Sequence, residues 1–442
     1  MKSNRIYIVL CAILMALLLL PIVQQLFHPL SVKKLNGVLE ATDAPKLTLE
    51  NYKNVTFQSQ LEKYVSERFG FHELVIRIYN QYLWFFRKTY SADVVIGKDK
   101  WLYGKRSVYD HYRQEAYLHA DDNETLVKIF DRSVARLKRV QQELDKCNTK
   151  LFVLICPSKD IICPEHLPEN GNYVMGDGIR AVEYIPKAFV DKGINFLDLN
   201  AWFKQMKDTI SYPVFPKTGM HWSNVAAMHA SDTLIRYLEW LTRENLLNIQ
   251  IGPMYPGKAV KPDDDLEKTL NLLFPIKPNQ HYYADVKVVA DTMVQRPKLI
   301  SIGDSFFWNL SYVMPMDSIF CSHPFWYYYS SVYYDSCHKK VNELNVEKEV
   351  ENADVVMIIV TANHLYNFDM GFVSHMDKAL FNPSPEIVED ILLKMEADSV
   401  WFQSLKEKAE KKRKTLDEVM RDDALYLIMT HPESYDVSQN LK

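Results

Sequence analysis

Hydrophobic positions in this chain fall into three textures. The first is an almost unbroken apolar run, IYIVLCAILMALLLLPIV, from Ile6 to Val23. Wound as a helix, it rises about 27 Å, close to the ~30 Å hydrocarbon core of a bilayer. Lys2 and Arg5 precede it and favour a cytoplasmic start, while Lys33 and Lys34 just beyond it pull the other way. No small-x-small cleavage site follows, so the run reads as an uncleaved anchor rather than a removed signal peptide. Either reading exports the rest of the chain.

The second texture is helical spacing across residues 48–90. Leu61, Tyr64, Val65, Phe69 and Phe71 recur at intervals suited to a helix, as do Leu74, Ile76, Ile78, Tyr79, Leu83 and Phe86. The third is alternation of long amphipathic helices with short, fully apolar strands. Val94–Ile96 and Trp101–Tyr103 read as two strands about a tight turn. Asn123–Lys146 reads as a helix, and Leu151–Ile155, Ile194–Asp198, Lys298–Ile302 and Val355–Val360 as strands. Met220–Leu241 starts as a loop and continues as a helix. Strands apolar on both faces predict an α/β fold with a parallel sheet covered by helices. After residue 385 the pattern changes to one amphipathic helix around Ile391, a charged segment Lys406–Lys414, and a pair of short helices. Four regions follow: an anchor at 1–30, a helical segment at 31–90, an α/β domain at 91–384 and a helical extension at 385–442.

The 442 residues are 48% hydrophobic and 24% charged, enough for a real core. A net charge of -4 gives no footing for nucleic acid, and the 13 glycines form no phosphate-cradling loop. Six cysteines show no CxxC pair or metal spacing, and Cys156 falls in an apolar strand as a buried thiol. No metal and no cofactor is implied. With 26 tyrosines and 8 tryptophans, the chain is rich in rings that grip sugars or fill cores.

Candidate chemistry starts where the strand Leu299–Ile302 runs into Gly303-Asp304-Ser305. A hydroxyl on a tight turn at the carboxyl edge of a sheet stands where ligands of open α/β sheets bind, which makes Ser305 a candidate nucleophile. A serine needs a base. His221 has the most distinctive setting, in the loop Phe215-Pro216-Lys217-Thr218-Gly219-Met220-His221-Trp222, with Ser223 as helix cap.

Four segments resemble, in order, the exported SGNH-hydrolase-like O-acetyltransferases of the AlgX/AlgJ, or DHHW, type. They are the Gly97–Tyr103 turn, Pro157-Ser158-Lys159, Lys217–Ser223 and Gly303–Phe306. The resemblance implies an SGNH-like sheet, Ser305 as acyl-accepting nucleophile and His221 as general base. It implies an exported polysaccharide as acceptor, and a multi-span membrane acyltransferase as acetyl donor system. The main domain would lie outside the cytoplasmic membrane, held by its single span. The family places an aspartate two positions before the histidine, and here that position is Gly219. Asp304 and Asp198 are the candidates to orient His221 in its place. Alternatively the dyad works alone, or catalysis is weakened or lost. Lys159 is either a holder of an anionic substrate group or a surface lysine. Asn363 is either an oxyanion donor or a cap, with the cap favoured. Trp222 is read as packing for His221 before a sugar platform. Phe325–Tyr329 is a core strand or a polymer-binding surface, with the strand favoured. Besides acetyl transfer, the sequence admits a carbohydrate acetyl esterase using the same nucleophile, and a non-catalytic polysaccharide-binding scaffold.

Overall fold

A computed structural model describes residues 2–37, 42–168, 173–277, 280–289, 294–334, 339–380, 383 and 385–430. The apolar run is a helix, Lys2–Phe27. Its segment Arg5–Phe27 has a mean hydropathy of 3.0 and is long and apolar enough to cross a membrane. Helices Thr56–Glu67 and His72–Phe85 follow, and then a hairpin of β1 (Val94–Ile96) and β2 (Leu102–Gly104).

The centre is a mixed six-stranded sheet. Its strands are β3 (Lys150–Cys156), β4 (Phe196–Asp198), β9 (Leu299–Gly303), β10 (Phe325–Tyr327), β11 (Ser331–Tyr333) and β12 (Val355–Thr361). The spatial order is β11-β10-β9-β12-β3-β4. The expected parallel sheet holds for five strands, and β11 joins the edge antiparallel. Between β4 and β9, β5 (Asn248–Ile251) pairs with β8 (Val286–Val289), and β6 (Tyr255–Gly257) with β7 (His281–Tyr283).

Side chains alternate across the sheet with period two. Phe152, Leu154, Leu299, Met357 and Ile359 face one core layer, closed by helices Asn224–Thr242 and Phe306–Val313. Leu151, Val153, Ile300, Ile302, Val356 and Ile358 face the other, closed by helices Asn123–Lys146, Ala181–Lys192 and Phe372–Leu380. Both faces are therefore dry, which is why these strands are apolar throughout. The carboxyl ends of β9, β12 and β3 lie side by side and release Asp304-Ser305, Ala362-Asn363 and Pro157-Ser158-Lys159 at one edge.

The chain ends in three helices, Pro385–Ala397, Ser399–Lys412 and Leu416–Thr430. They pack on one another through Ile391, Met395, Leu405, Val419, Met420 and Ala424. Most of the charged segment is thus the solvated part of a helix, and the last element is one continuous helix rather than a short pair. Cys11, Cys147, Cys156, Cys163 and Cys321 are unpaired, and Cys156 is buried. Cys337 lies outside the described residues.

Candidate active site

Ser305 follows β9 and stands at the start of the helix Phe306–Val313, its side chain making no capping bond. Its Oγ lies 2.7 Å from His221 Nε2, although 84 residues separate the two in sequence. His221 is buried, with the Phe306 ring 4.8 Å from its own. The helix after Ser305 is tied to the histidine loop, because Asn309 Nδ2 donates to the Trp222 carbonyl at 3.1 Å. Ser223 caps the helix Asn224–Thr242 by accepting from Ala226 N–H.

The acid that orients His221 is neither of the two expected. Asp265 Oδ2 lies 2.6 Å from His221 Nδ1. Its other oxygen accepts from the backbone N–H groups of Met220 and Leu266 at 2.8 and 2.7 Å. Asp265 opens the short helix Asp265–Leu270, 44 residues after the histidine. Gly219 leaves room for it. A Cβ at 219 would overlap the Asp263 carbonyl and crowd Pro216, so the glycine lets the Asp263–Asp265 segment pass against the loop. The sequence signal was the run Asp263-Asp264-Asp265 after Pro262, acids gathered at a helix start.

Asp304 is corrected from triad acid to structural anchor. Its Oδ2 accepts from Thr361 N–H at 2.8 Å and Thr361 Oγ1 at 2.6 Å, and pairs with His364 Nδ1 at 3.1 Å. Its Oδ1 accepts from Phe306 N–H. The carboxylate is fully buried and pins the end of β9 to the end of β12. Burial alone would raise its pKa; the bonds from His364 and Thr361 outweigh that and hold it below the ordinary carboxylate value. Asp198 accepts from Asn200 at the sheet's far edge.

Lys159 is also corrected. It is neither a surface lysine nor a substrate group. Its buried Nζ lies 2.6–3.0 Å from the carbonyls of Leu102, Pro216, Lys217 and Gly219. It sits 4.9 Å from the Trp101 ring and 5.2 Å from Tyr103. One ammonium thus ties together the β1–β2 hairpin, the loop after β3 and the loop before His221. Burial draws its pKa down to about 7, against the opposing pull of Cys163 and Asp265. Trp222 is fully buried, stacked on Phe203 at 5.7 Å, and serves as packing. Asn363 is buried and donates to Ser107 Oγ at 3.0 Å. Phe325–Tyr327 is the strand β10.

A serine, imidazole and carboxylate in this order can move a proton off the hydroxyl and hold it on a ring whose tautomer is fixed. Residues 94–297 match the family model described as the SGNH hydrolase-like domain of the acetyltransferase AlgX. Over these residues the chain is similar to the AlgX/AlgJ type. Among curated proteins it is similar to the probable alginate O-acetylase AlgJ of Pseudomonas aeruginosa. The two are 23% identical over 296 residues, covering 62% of this chain and 69% of that protein. Among solved structures, the O-acetyltransferase domain of Pseudomonas putida AlgJ aligns with 65% of this chain and 99% of its own, at 16% identity and a TM-score of 0.42. Bacillus cereus PatB1 aligns with 62% of this chain and 99% of its own, at 13% identity and a TM-score of 0.38. The matched region covers His221 and Asp265 and ends before Ser305.

Proposed function

We propose that this chain is a membrane-anchored O-acetyltransferase that works outside the cytoplasm on an exported polysaccharide. The observation that carries the reading is the Ser305–His221–Asp265 chain of hydrogen bonds. Similarity to AlgX and AlgJ, the second named for alginate acetylation, supports acetyl as the group and an exported polymer as acceptor.

In the first half-reaction, Ser305 Oγ attacks the acetyl carbonyl and its proton passes to His221 Nε2. The tetrahedral intermediate collapses, the donor's oxygen leaves with that proton, and an acetyl-serine remains. In the second, a sugar hydroxyl gives its proton to His221 Nε2 and attacks the acetyl-serine. Ser305 Oγ departs and takes the proton back. Asp265 accepts the Nδ1–H throughout and steadies the imidazolium. A multi-span acyltransferase in the same membrane is the class of protein that would deliver the acetyl group.

Ser305→Ala should abolish polymer acetylation in cells and labelling of the full-length chain by a fluorophosphonate, with the protein level unchanged. Persistent acetylation by Ser305→Ala sinks the mechanism. Release of acetate that ignores added oligosaccharide would instead identify an esterase.

A further inference from the structure

The helix His72–Phe85 is inside out. Its inward face is polar and hydrogen-bonded to the body of the protein. Arg77 donates to the Lys34 and Leu272 carbonyls at 3.0 and 3.1 Å. Gln81 Oε1 accepts from Phe274 N–H at 3.0 Å, and Asn80 donates to the Leu270 carbonyl at 2.8 Å. Beside them Trp84 is buried with Leu266 and Leu270 of the helix that begins at Asp265. The outward face carries Val75, Ile78, Tyr79, Tyr82 and Phe85 at helical spacing, with Phe86 as the C-cap, all 51–75% exposed. A water-facing helix shows the reverse arrangement. A stripe of six large apolar groups on one face is far from the scattered single exposures that soluble proteins tolerate.

The position of the helix says what covers that stripe. The turn before it lies against the exit of the apolar N-terminal helix. Gly70 is so close to the Pro21 carbonyl that a Cβ there would overlap it. Residues on both sides, Gln24, Gln25 and His28 with Phe69, Gly70 and Phe71, line one cleft. The helix's 14 residues rise about 21 Å, short of the ~30 Å needed to span. Two tyrosines lie in the stripe, and exposed Arg87 and Lys88 follow it. Ring-and-cation flanks of this kind sit at the lipid headgroup level.

We propose that His72–Phe86 lies on the outer leaflet of the membrane that holds the anchor, with its apolar stripe among the lipids. The bilayer surface is then a docking face of this protein. Through Trp84 and Asn80 the same helix braces the element that presents Asp265, so the membrane surface and the candidate site share one rigid support. This rests on the reading of Lys2–Phe27 as an anchor.

The test places a nitroxide on single cysteines replacing Ile78, Tyr82, Leu14 and Glu407 in turn. The background is full-length C11S/C147S/C321S/C337S protein in phosphatidylethanolamine–phosphatidylglycerol vesicles. Collision rates with dissolved oxygen, which enters lipid, are compared with those of a water-soluble nickel chelate. The proposal expects the oxygen-to-nickel ratio at Ile78 and Tyr82 to match that at Leu14 and to exceed that at Glu407 several-fold. A nickel-dominated ratio at Ile78 and Tyr82, with Leu14 in lipid, overturns the proposal and spares the anchor. Protection from both reagents at those two positions also overturns it, in favour of a second copy covering the face. A nickel-dominated Leu14 overturns the anchor and the proposal together.

Discussion

At Gly219 a missing side chain is what lets a carboxylate reach the histidine. Asp265 arrives from another segment and fixes His221 through Nδ1. Asp265→Asn should therefore lower turnover by roughly 10³- to 10⁴-fold while leaving the fold intact, because the wrong tautomer is then favoured. Adding Gly219→Asp to that variant should not restore activity, since the new Cβ meets the Asp263 carbonyl. Acetyl-transfer rates and circular dichroism of the two variants check both statements. Asp304 makes a different prediction. Its folded-state pKa is depressed, so its contribution to stability is complete above the unfolded carboxylate value near pH 4. That contribution drains away as pH falls through the folded value. The stability advantage of the wild type over Asp304→Asn, measured by urea unfolding, should shrink as pH drops from about 5 toward 2.

Among elements, the loops outweigh the strands. Three of the four segments that resemble the family meet at one atom, Lys159 Nζ, which holds carbonyls from the β1–β2 hairpin and the His221 loop. Lys159→Met keeps the stem and removes the ammonium, leaving buried carbonyls without their partner. A loss on the order of 3 kcal/mol in unfolding free energy is expected. A further fall in acetyl transfer should exceed what the fraction unfolded explains, because the loop before His221 loses its tether. Thermal denaturation alongside kinetics at a temperature where the variant is folded separates the two effects. The sheet was legible from the sequence: short, β-branched apolar runs such as Val355–Val360 suit strands buried on both faces. The tether was not legible, because a lysine after a strand reads the same whether its ammonium meets water or four carbonyls.

For the whole molecule, the proposed anchor would set the address, and the helix His72–Phe85 would set the posture on the membrane. An uncleaved anchor should keep the intact chain, including residues 1–30, in the membrane fraction after a sodium carbonate wash, and the intact mass of the extracted protein checks this. A mass lacking those residues would identify a cleaved signal instead.

The sequence by itself determined the apolar N-terminal helix, the apolar strands and the amphipathic helices. It also placed Ser305 on a turn at the end of a strand and His221 in a Pro/Gly loop. These are local properties, written in periodicity and in turn residues. The tertiary structure decided which carboxylate meets His221, that Lys159 is a knot rather than a hand, that Asp304 pins two strands, and that the helix His72–Phe85 turns its oily face outward. Each of these depends on which distant segments approach within a hydrogen bond, and contacts across tens of residues leave no period in the chain to read.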